Sequence, residues 1–363
     1  PYNPVDSKGS MDGVVVSHFD WPYVFWTDED GESGKSDIRK GEGKLPWRLD
    51  WPAKWSWIGV TCEPFGKDHG TSGGSYSTGR KFSEMFGYEP PHPLTYEWIS
   101  LKGVGAMSSS TGVTIGPMDV LELVPSEILR YFISRSKPGK HLEFNTGELL
   151  LNLADEYERT CLSVTSNPET PIQEMSKRQK VLKEEAEGSI RYSQIEIEGE
   201  IDESFKVPFR HLSMLAQIRI NDDDIWLTLE KSGYILSAKN PGEKLIEKLS
   251  KIRTWINSEH FPSELRITIN KSIDSTLINS FEIPVHDYLK ELLNGLSNLD
   301  EWDSTNISKA INDPAKAMDL NLGVIYSLLY TIIIGKQSGP KLARLLQELD
   351  RKSVCELISQ AVE

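Results

Sequence analysis

Between Lys102 and Gly112 the chain reads Lys-Gly-Val-Gly-Ala-Met-Ser-Ser-Ser-Thr-Gly. Three glycines and three consecutive serines pack no core, so this segment divides what can fold on either side of it. Before it lies an apolar, strand-like run (Trp98, Ile99, Leu101), and after it a helically patterned one. Gly/Ser-rich segments are most often connections. They also present backbone N–H and hydroxyl donors of the kind a phosphate chain needs. No Gly-Lys-Ser/Thr triplet follows a four-residue spacer, so it is not a P-loop.

The length admits two or three domains. Hydrophobic residues make up 38% and charged ones 26%, an ordinary globular mix. The longest apolar run, Leu322 to Ile334, is interrupted by Ser327 and Thr331 and reads as a buried helix, not a membrane span. Cys62, Cys161 and Cys355 are few and far apart, which argues against a disulfide framework or a cysteine-based zinc site and for a reducing cytoplasm. Net charge is −14, so any nucleic acid must be held by local basic patches.

Residues 1–44 are irregular, with β-like runs at Val14–Val16 and Tyr23–Trp26, and predict one hairpin at most. Asp28, Glu29, Asp30 and Glu32 form an acidic turn. Four tryptophans follow between Trp47 and Trp57. Trp51, Trp55 and Trp57 read as core, whereas Trp47, between a proline and an arginine, can line a pocket. Next, a β-branched run from Gly59 ends in the turn Lys67-Asp68-His69, and a helix is expected from about Ser75 to Phe86. Polar residues at the carboxyl end of a strand feeding a helix are where open α/β sheets bind ligands.

Here six motifs occur in order. They are Leu45-Pro-Trp-Arg48, Asp50-Trp-Pro-Ala-Lys-Trp55, Gly66-Lys-Asp-His69, Gly73-Gly-Ser-Tyr76, Tyr96-Glu-Trp98 and Ala106-Met-Ser-Ser-Ser110. Together they resemble the class I, largely archaeal type of lysyl-tRNA synthetase, densely from Asp37 to Tyr157. The likeness continues more loosely through Val207-Pro-Phe-Arg-His211 and Gly335-Lys-Gln-Ser-Gly-Pro340. The last of the six resembles the Lys-Met-Ser-Lys-Ser loop of class I synthetases.

The resemblance implies an α/β fold followed by an all-α region. Residues 1–36 would be a β-rich insertion, and 37–145 the second half of a Rossmann-like catalytic domain. Residues 146–270 would be a helical connector, and 271–363 a helical cage for the anticodon. It implies ATP-dependent activation of L-lysine to lysyl-adenylate and transfer to tRNA(Lys) in the cytoplasm. ATP with Mg2+ is a substrate, and no zinc or other resident metal, no membrane and no DNA is implied.

By resemblance, Lys102, Met107, Ser108, Ser109 and Ser110 act in catalysis, and Trp47, Asp68, His69 and Tyr96 bind lysine and the adenylate. Gly66, Gly73, Gly74, Gly105, Met107 and Ser108 face ATP. Arg130, Arg135, Lys137 and Lys140 form a basic cluster that is either a solvated face or a contact for the tRNA acceptor stem.

Two departures stand out. The family's His-Ile-Gly-His-like element is absent, and the first residue is Pro1, which predicts an N-terminally truncated piece that alone activates lysine only at background. Ala106 and Ser109 stand where the loop's two lysines would be, with Lys102 four residues upstream. A glutamyl enzyme would need a cation for its substrate's carboxylate. A non-catalytic tRNA-binding relative would fit the missing element.

From Leu149 onward the pattern is helical. Pro117–Leu123 and Pro125–Arg135 read as short helices, and Lys177–Glu187 as an exposed, salt-bridged one. Phe209–Ile220, Asp224–Lys231 and Glu243–Ile256 follow as amphipathic helices. Leu342, Leu345, Leu346 and Leu349 then form a stripe at i, i+3, i+4, i+7, and Asp350 caps the next helix.

Overall fold

The computed structural model describes residues 14–101, 105–106, 115–166, 174–195, 199–273 and 284–362. Lys102, Met107, Ser108, Ser109 and Ser110 lie outside the described residues. The chain forms two compact units: 1–100 with 137–142, and 101–136 with 143–363.

The first unit opens with an antiparallel meander of β1 (Val15–Asp20), β2 (Tyr23–Thr27) and β3 (Ser33–Asp37), in that order. The expected single hairpin is thus one strand short. β3 reads Ser-Gly-Lys-Ser-Asp and carries no apolar signal, so pairing with β2 alone makes it a strand. The indole of Trp26 fills the space where a side chain at position 34 would stand. A Cβ on Gly34 would meet it at 2.6 Å. The acidic turn closes on Asp28, whose Oδ1 accepts from the N–H groups of Asp30 and Glu32.

Next comes α1 (Trp47–Ile58), a helix the sequence hid behind Pro46 and an internal Pro52. Strands β4 (Cys62–Gly66) and β5 (His92–Tyr96) pair in parallel, and α2 (Lys67–Gly70) and α3 (Ser75–Met85) connect them. Trp51, Trp55, Phe65 and Tyr76 form the core. Trp57 does not join it and is 69% exposed, because it lies on the opposite face of α1 from Trp51 and Trp55. Three further short strands, β6 (Ile99–Leu101), β7 (Gly105–Ala106) and β8 (Leu142–Phe144), form a sheet in the order β7-β6-β8.

The second unit is helical apart from these short strands. Its first helices are α4 (Pro117–Leu123), α5 (Ser126–Ser134), α6 (Glu148–Thr165) and α7 (Lys177–Ser193). α8 (Phe209–Ile218), α9 (Asp222–Lys231) and α10 (Glu243–Asn257) follow. The last five are α11 (Val285–Ser297), α12 (Ser304–Ala317), α13 (Leu322–Ile334), α14 (Leu342–Gln347) and α15 (Arg351–Gln360). α13 is buried, as its apolar run predicts, and Asp350 caps α15 through the N–H of Ser353. Among the described residues no helix is long and apolar enough to cross a membrane.

The Gly335–Pro340 motif is a structural clamp. Gly335 ends α13 at φ 67°, a conformation a side chain strains. Lys336 Nζ then donates to the carbonyls of Ser263, Glu264 and Arg266 at 2.7, 3.1 and 2.8 Å.

A buried ion pair ties α6 to α10. Lys248 Nζ lies 2.7 Å from Glu158 Oε1 and also donates to the carbonyls of Val207 (2.6 Å) and Ser204 (3.1 Å). Glu158 Oε1 accepts the Phe209 N–H at 2.8 Å. Burial raises the Glu158 carboxyl above its ordinary range despite the neighbouring ammonium, so desolvation outweighs the attraction. Lys248→Met, which strands that carboxylate, should cost about 3–5 kcal/mol in urea unfolding. Lys248→Met with Glu158→Gln should recover much of the loss. Equal destabilisation by the single and the double variant would show that charge burial is not the cause.

His211, on α8, is buried against the ring of Tyr234, and among the described residues its Nε2 has no partner. Burial, aided by the positive charge of Arg344, pushes its pKa down from 6.5 to about 4. The unfolded chain therefore takes up this proton first. The stability that neutral His211 contributes is complete above pH 6.5 and falls as pH drops from there through 4. A shift of this size corresponds to about 3 kcal/mol. The difference in unfolding free energy between the wild type and His211→Phe should vary by that order across this window. A constant difference would refute the assignment.

Candidate active site

The parallel pair β4 and β5 brings Gly66 and Tyr96 side by side at their carboxyl ends. Residue 66 faces the Tyr96 ring, since a Cβ there would lie 3.8 Å from Tyr96 Cε2. α2 starts at the very next residue, so Lys67, Asp68 and His69 project from the strand end, as the turn pattern predicts.

Each polar group on this turn has a different fate. Lys67 Nζ pairs with Glu97 Oε2 at 2.9 Å, and the ammonium holds that carboxyl below the usual range. His69 Nδ1 shares a 2.9 Å hydrogen bond with Ser75 Oγ, which orients the imidazole. Asp68 is exposed and, among the described residues, its carboxylate forms no ion pair or hydrogen bond. Only its backbone carbonyl is used, as acceptor for the Thr71 hydroxyl at 2.8 Å.

The glycine pair before α3 is a matter of space. Gly73 has φ 79°. A Cβ on Gly74 would sit 2.4 Å from the His69 carbonyl oxygen and 2.7 Å from that of Asp68, so only glycine fits. Arg48 Nη1 reaches over from α1 to donate to the Gly73 carbonyl at 2.7 Å and to Thr78 Oγ1 at 3.1 Å.

A row of rings leads from the turn to the surface. His69 meets Trp51 edge-on at 5.6 Å, and Trp51 stacks on Trp47 at 5.0 Å and 18°. Trp47 is 52% exposed and Tyr96 48%. Both therefore offer open aromatic faces with which an aliphatic stem or a cation can pack. The exposed Asp68 carboxylate stands on the same turn as the oriented His69.

The structure thus groups Gly66, Asp68, His69, Gly73, Gly74 and Tyr96 on adjoining strand ends and turns of the first unit, with Trp47 at the end of the ring row. Arg48, Ser75 and Glu97, the partner of Lys67, were not singled out from sequence. Arg48 and Ser75 did lie inside quoted motifs, where every polar residue is a candidate for holding the turn. Gly105 belongs with Ala106 to β7.

The basic cluster divides. Arg130 donates from Nε and Nη2 to the carbonyls of Ser193 and Tyr192 at 3.1 and 3.0 Å, closing the end of α7. Arg135 pairs with Glu156. Lys137 and Lys140, in the first unit, are exposed and without an ion pair among the described residues. No cluster of three or more His, Cys, Asp or Glu side chains able to hold a metal occurs among the described residues.

Comparison with known proteins agrees with the motif pattern. Residues 1–190 match the family model described as "tRNA synthetases class I (K)", and residues 271–362 match "Anticodon binding domain". The lysine–tRNA ligase of Thermoplasma acidophilum is 35% identical over 100% of this chain and 68% of its own length. That of Picrophilus torridus is 34% identical over 99% of this chain and 67% of its own. For Archaeoglobus fulgidus the figures are 30%, 100% and 67%. The chain thus spans about two thirds of the length of these relatives. A solved glutamate tRNA ligase from Elizabethkingia meningosepticum aligns over 91% of this chain and 64% of its own. At 13% identity and a TM-score of 0.39, that likeness carries no weight. With a family model over more than half its length and such relatives along all of it, the chain belongs to the class I (K) tRNA synthetases.

Proposed function

We propose that this chain carries the lysine-binding part of an ATP-dependent lysine–tRNA ligase, together with helices that hold the tRNA. The observation that supports this best is that Asp68, unpaired among the described residues, follows the strand end at which Tyr96 stands half exposed. Lysine presents four methylenes and an ammonium, and its pocket must desolvate the first and satisfy the second. Trp47 and Tyr96 can flank the stem, and Asp68 can pair with the ammonium. His69, held by Ser75, supplies a polar contact to the amino acid or the ribose.

Activation joins the lysine carboxylate to the ATP α-phosphorus and expels pyrophosphate, so the protein's part is positioning and charge neutralisation. The Gly73-Gly74 turn fits that part by presenting backbone where side chains would obstruct. In this reading Gly66, Gly73 and Gly74 face ATP and its Mg2+. A glutamyl enzyme fits the turn poorly. The nearby cations Lys67 and Arg48 are committed to Glu97 and to the Gly73 carbonyl, and the free group is an acid.

Lysine-dependent ATP–pyrophosphate exchange, in the enzyme carrying this chain, tests the pocket. Tyr96→Phe should lower lysine activation by an amount on the order of 1–3 kcal/mol, the worth of one substrate hydrogen bond, with little change in melting temperature. Trp47→Ala should cost more by opening the wall to water. If both leave exchange untouched, or act only by unfolding the protein, the pocket assignment fails.

For the tRNA acceptor stem, the exposed Lys137 and Lys140 are the residues we propose to retain from the basic cluster. Replacing both with alanine should weaken tRNA binding and lower its salt dependence by up to about one unit of slope for each phosphate no longer held. Arg130→Ala, which frees the carbonyls ending α7, should lower thermal stability and leave that slope in place. The reverse pattern would put the RNA contact at Arg130.

A further inference from the structure

A cavity of about 490 Å3 opens on the second unit among α6, α8 and the start of α14. Five cations line it: Arg159, Lys206, Arg210, Lys341 and Arg344. Two of them are matched. Arg210 pairs with Asp155 and Glu148, both at 2.9 Å, and Lys206 pairs with Glu203. Glu158, which shares the lining, is taken by Lys248.

Arg159, Lys341 and Arg344 remain. Among the described residues none of the three has an ion pair. Arg159 uses only Nε, on the carbonyl of Asp155 one turn back, and no side-chain hydrogen bond engages Lys341 or Arg344. Three unmatched positive charges around one concavity repel one another. In a chain of net charge −14 acidic partners are plentiful, yet the two acids of this lining, Asp155 and Glu158, are taken by Arg210 and Lys248. The complementary charge comes from outside.

The shape indicates what kind of anion. The rings in the lining, Phe205 and His211, are both buried, so a free nucleotide finds no open ring on which to stack its base. A second cavity, of about 330 Å3, shares Arg210, Met214 and Pro340 with the first, so the concavity continues along α8. A continuing track suits a polymer better than a single small ion.

We propose that this cavity receives a backbone phosphate of bound RNA, with Arg159, Lys341 and Arg344 as its ligands. The site rests on the reading of the chain as a tRNA-binding synthetase. Arginine suits it because its planar fork can donate two parallel hydrogen bonds to one phosphate.

The test is tRNA affinity measured across a salt series for the wild-type chain and for Arg159→Ala/Lys341→Ala/Arg344→Ala. Releasing one phosphate should lower the slope of log K against log salt by roughly 0.7–0.9. Affinity at low salt should fall about tenfold or more, with the melting temperature unchanged. Lys290→Ala, an exposed lysine on α11 outside both cavities, should alter neither. Should the triple variant fail to fold, Lys341→Glu alone, at the exposed entry to α14, should produce the same loss.

An unchanged slope, or an equal loss in Lys290→Ala, overturns the site. So does inorganic phosphate that binds the wild type and not the triple variant while the RNA slope stays put, which would mark a free-anion site. A wild-type chain that binds no tRNA at all removes the wider reading along with this one, whereas an unchanged slope in the triple variant removes this site alone.

Discussion

One buried ammonium, that of Lys248, holds three parts of the second unit to a single point. It joins α10 to Glu158 of α6 and to the two carbonyls just before α8, and Glu158 in turn takes the first N–H of α8. The Val207 carbonyl and that N–H have no partner within a helix and would be costly to bury unpaired. The pair itself gains little, since burial of the carboxyl outweighs the attraction. What it secures is geometry: α8 can start at only one place against α6. That placement sets Arg210 beside Asp155 and Glu148, and it walls the basic cavity with α6 on one side and α8 on the other.

The first unit solves a different problem with different means. Its strand ends at the candidate site belong to only two parallel strands, so a side-chain core must hold them in place. Four large rings do this. Helices α1 and α3 close over them where Gly79 brings its backbone to the Trp55 ring, with a Cβ there 3.3 Å away. The same ring system continues through Trp51 to Trp47 and to His69. Core and candidate pocket are thus one aromatic assembly, buried at one end and open at the other. Arg48 and Ser75 then fix the polar turn from outside that assembly.

Much of this was legible in the sequence because the relevant signals are local. The helices of the second unit follow apolar spacing and capping residues, and Asp350 caps as its position implies. The turn Lys67-Asp68-His69 was legible because polar residues between a strand pattern and a helix pattern have few structural uses. β3 escaped notice because its strand character comes from β2, not from its own residues. α1 escaped because two prolines conceal a helix that packing of Trp51 and Trp55 stabilises. Trp57 was misread because composition cannot say which side of an unrecognised helix a residue occupies. The basic cluster stayed open between two readings for a related reason, since a run of cations does not reveal which of them bond the fold's own carbonyls and acids.

That consumption governs how an acidic chain can meet RNA. Several of its arginines and lysines bond backbone carbonyls. Arg130 closes α7, Arg253 donates to the carbonyls of Ala216, Arg219 and Ile220, Lys336 clamps a turn, and Arg351 holds the end of α11. A guanidinium or ammonium committed in this way keeps its charge, but its donors are spent on backbone acceptors and are no longer free to grip a partner. The donors free to grip a phosphate are therefore fewer than the count of basic residues. With a surplus of acids to repel RNA elsewhere, the places where several unpaired cations gather carry both the attraction and the orientation. For such a chain, binding and register on the RNA are set by the same small group of side chains.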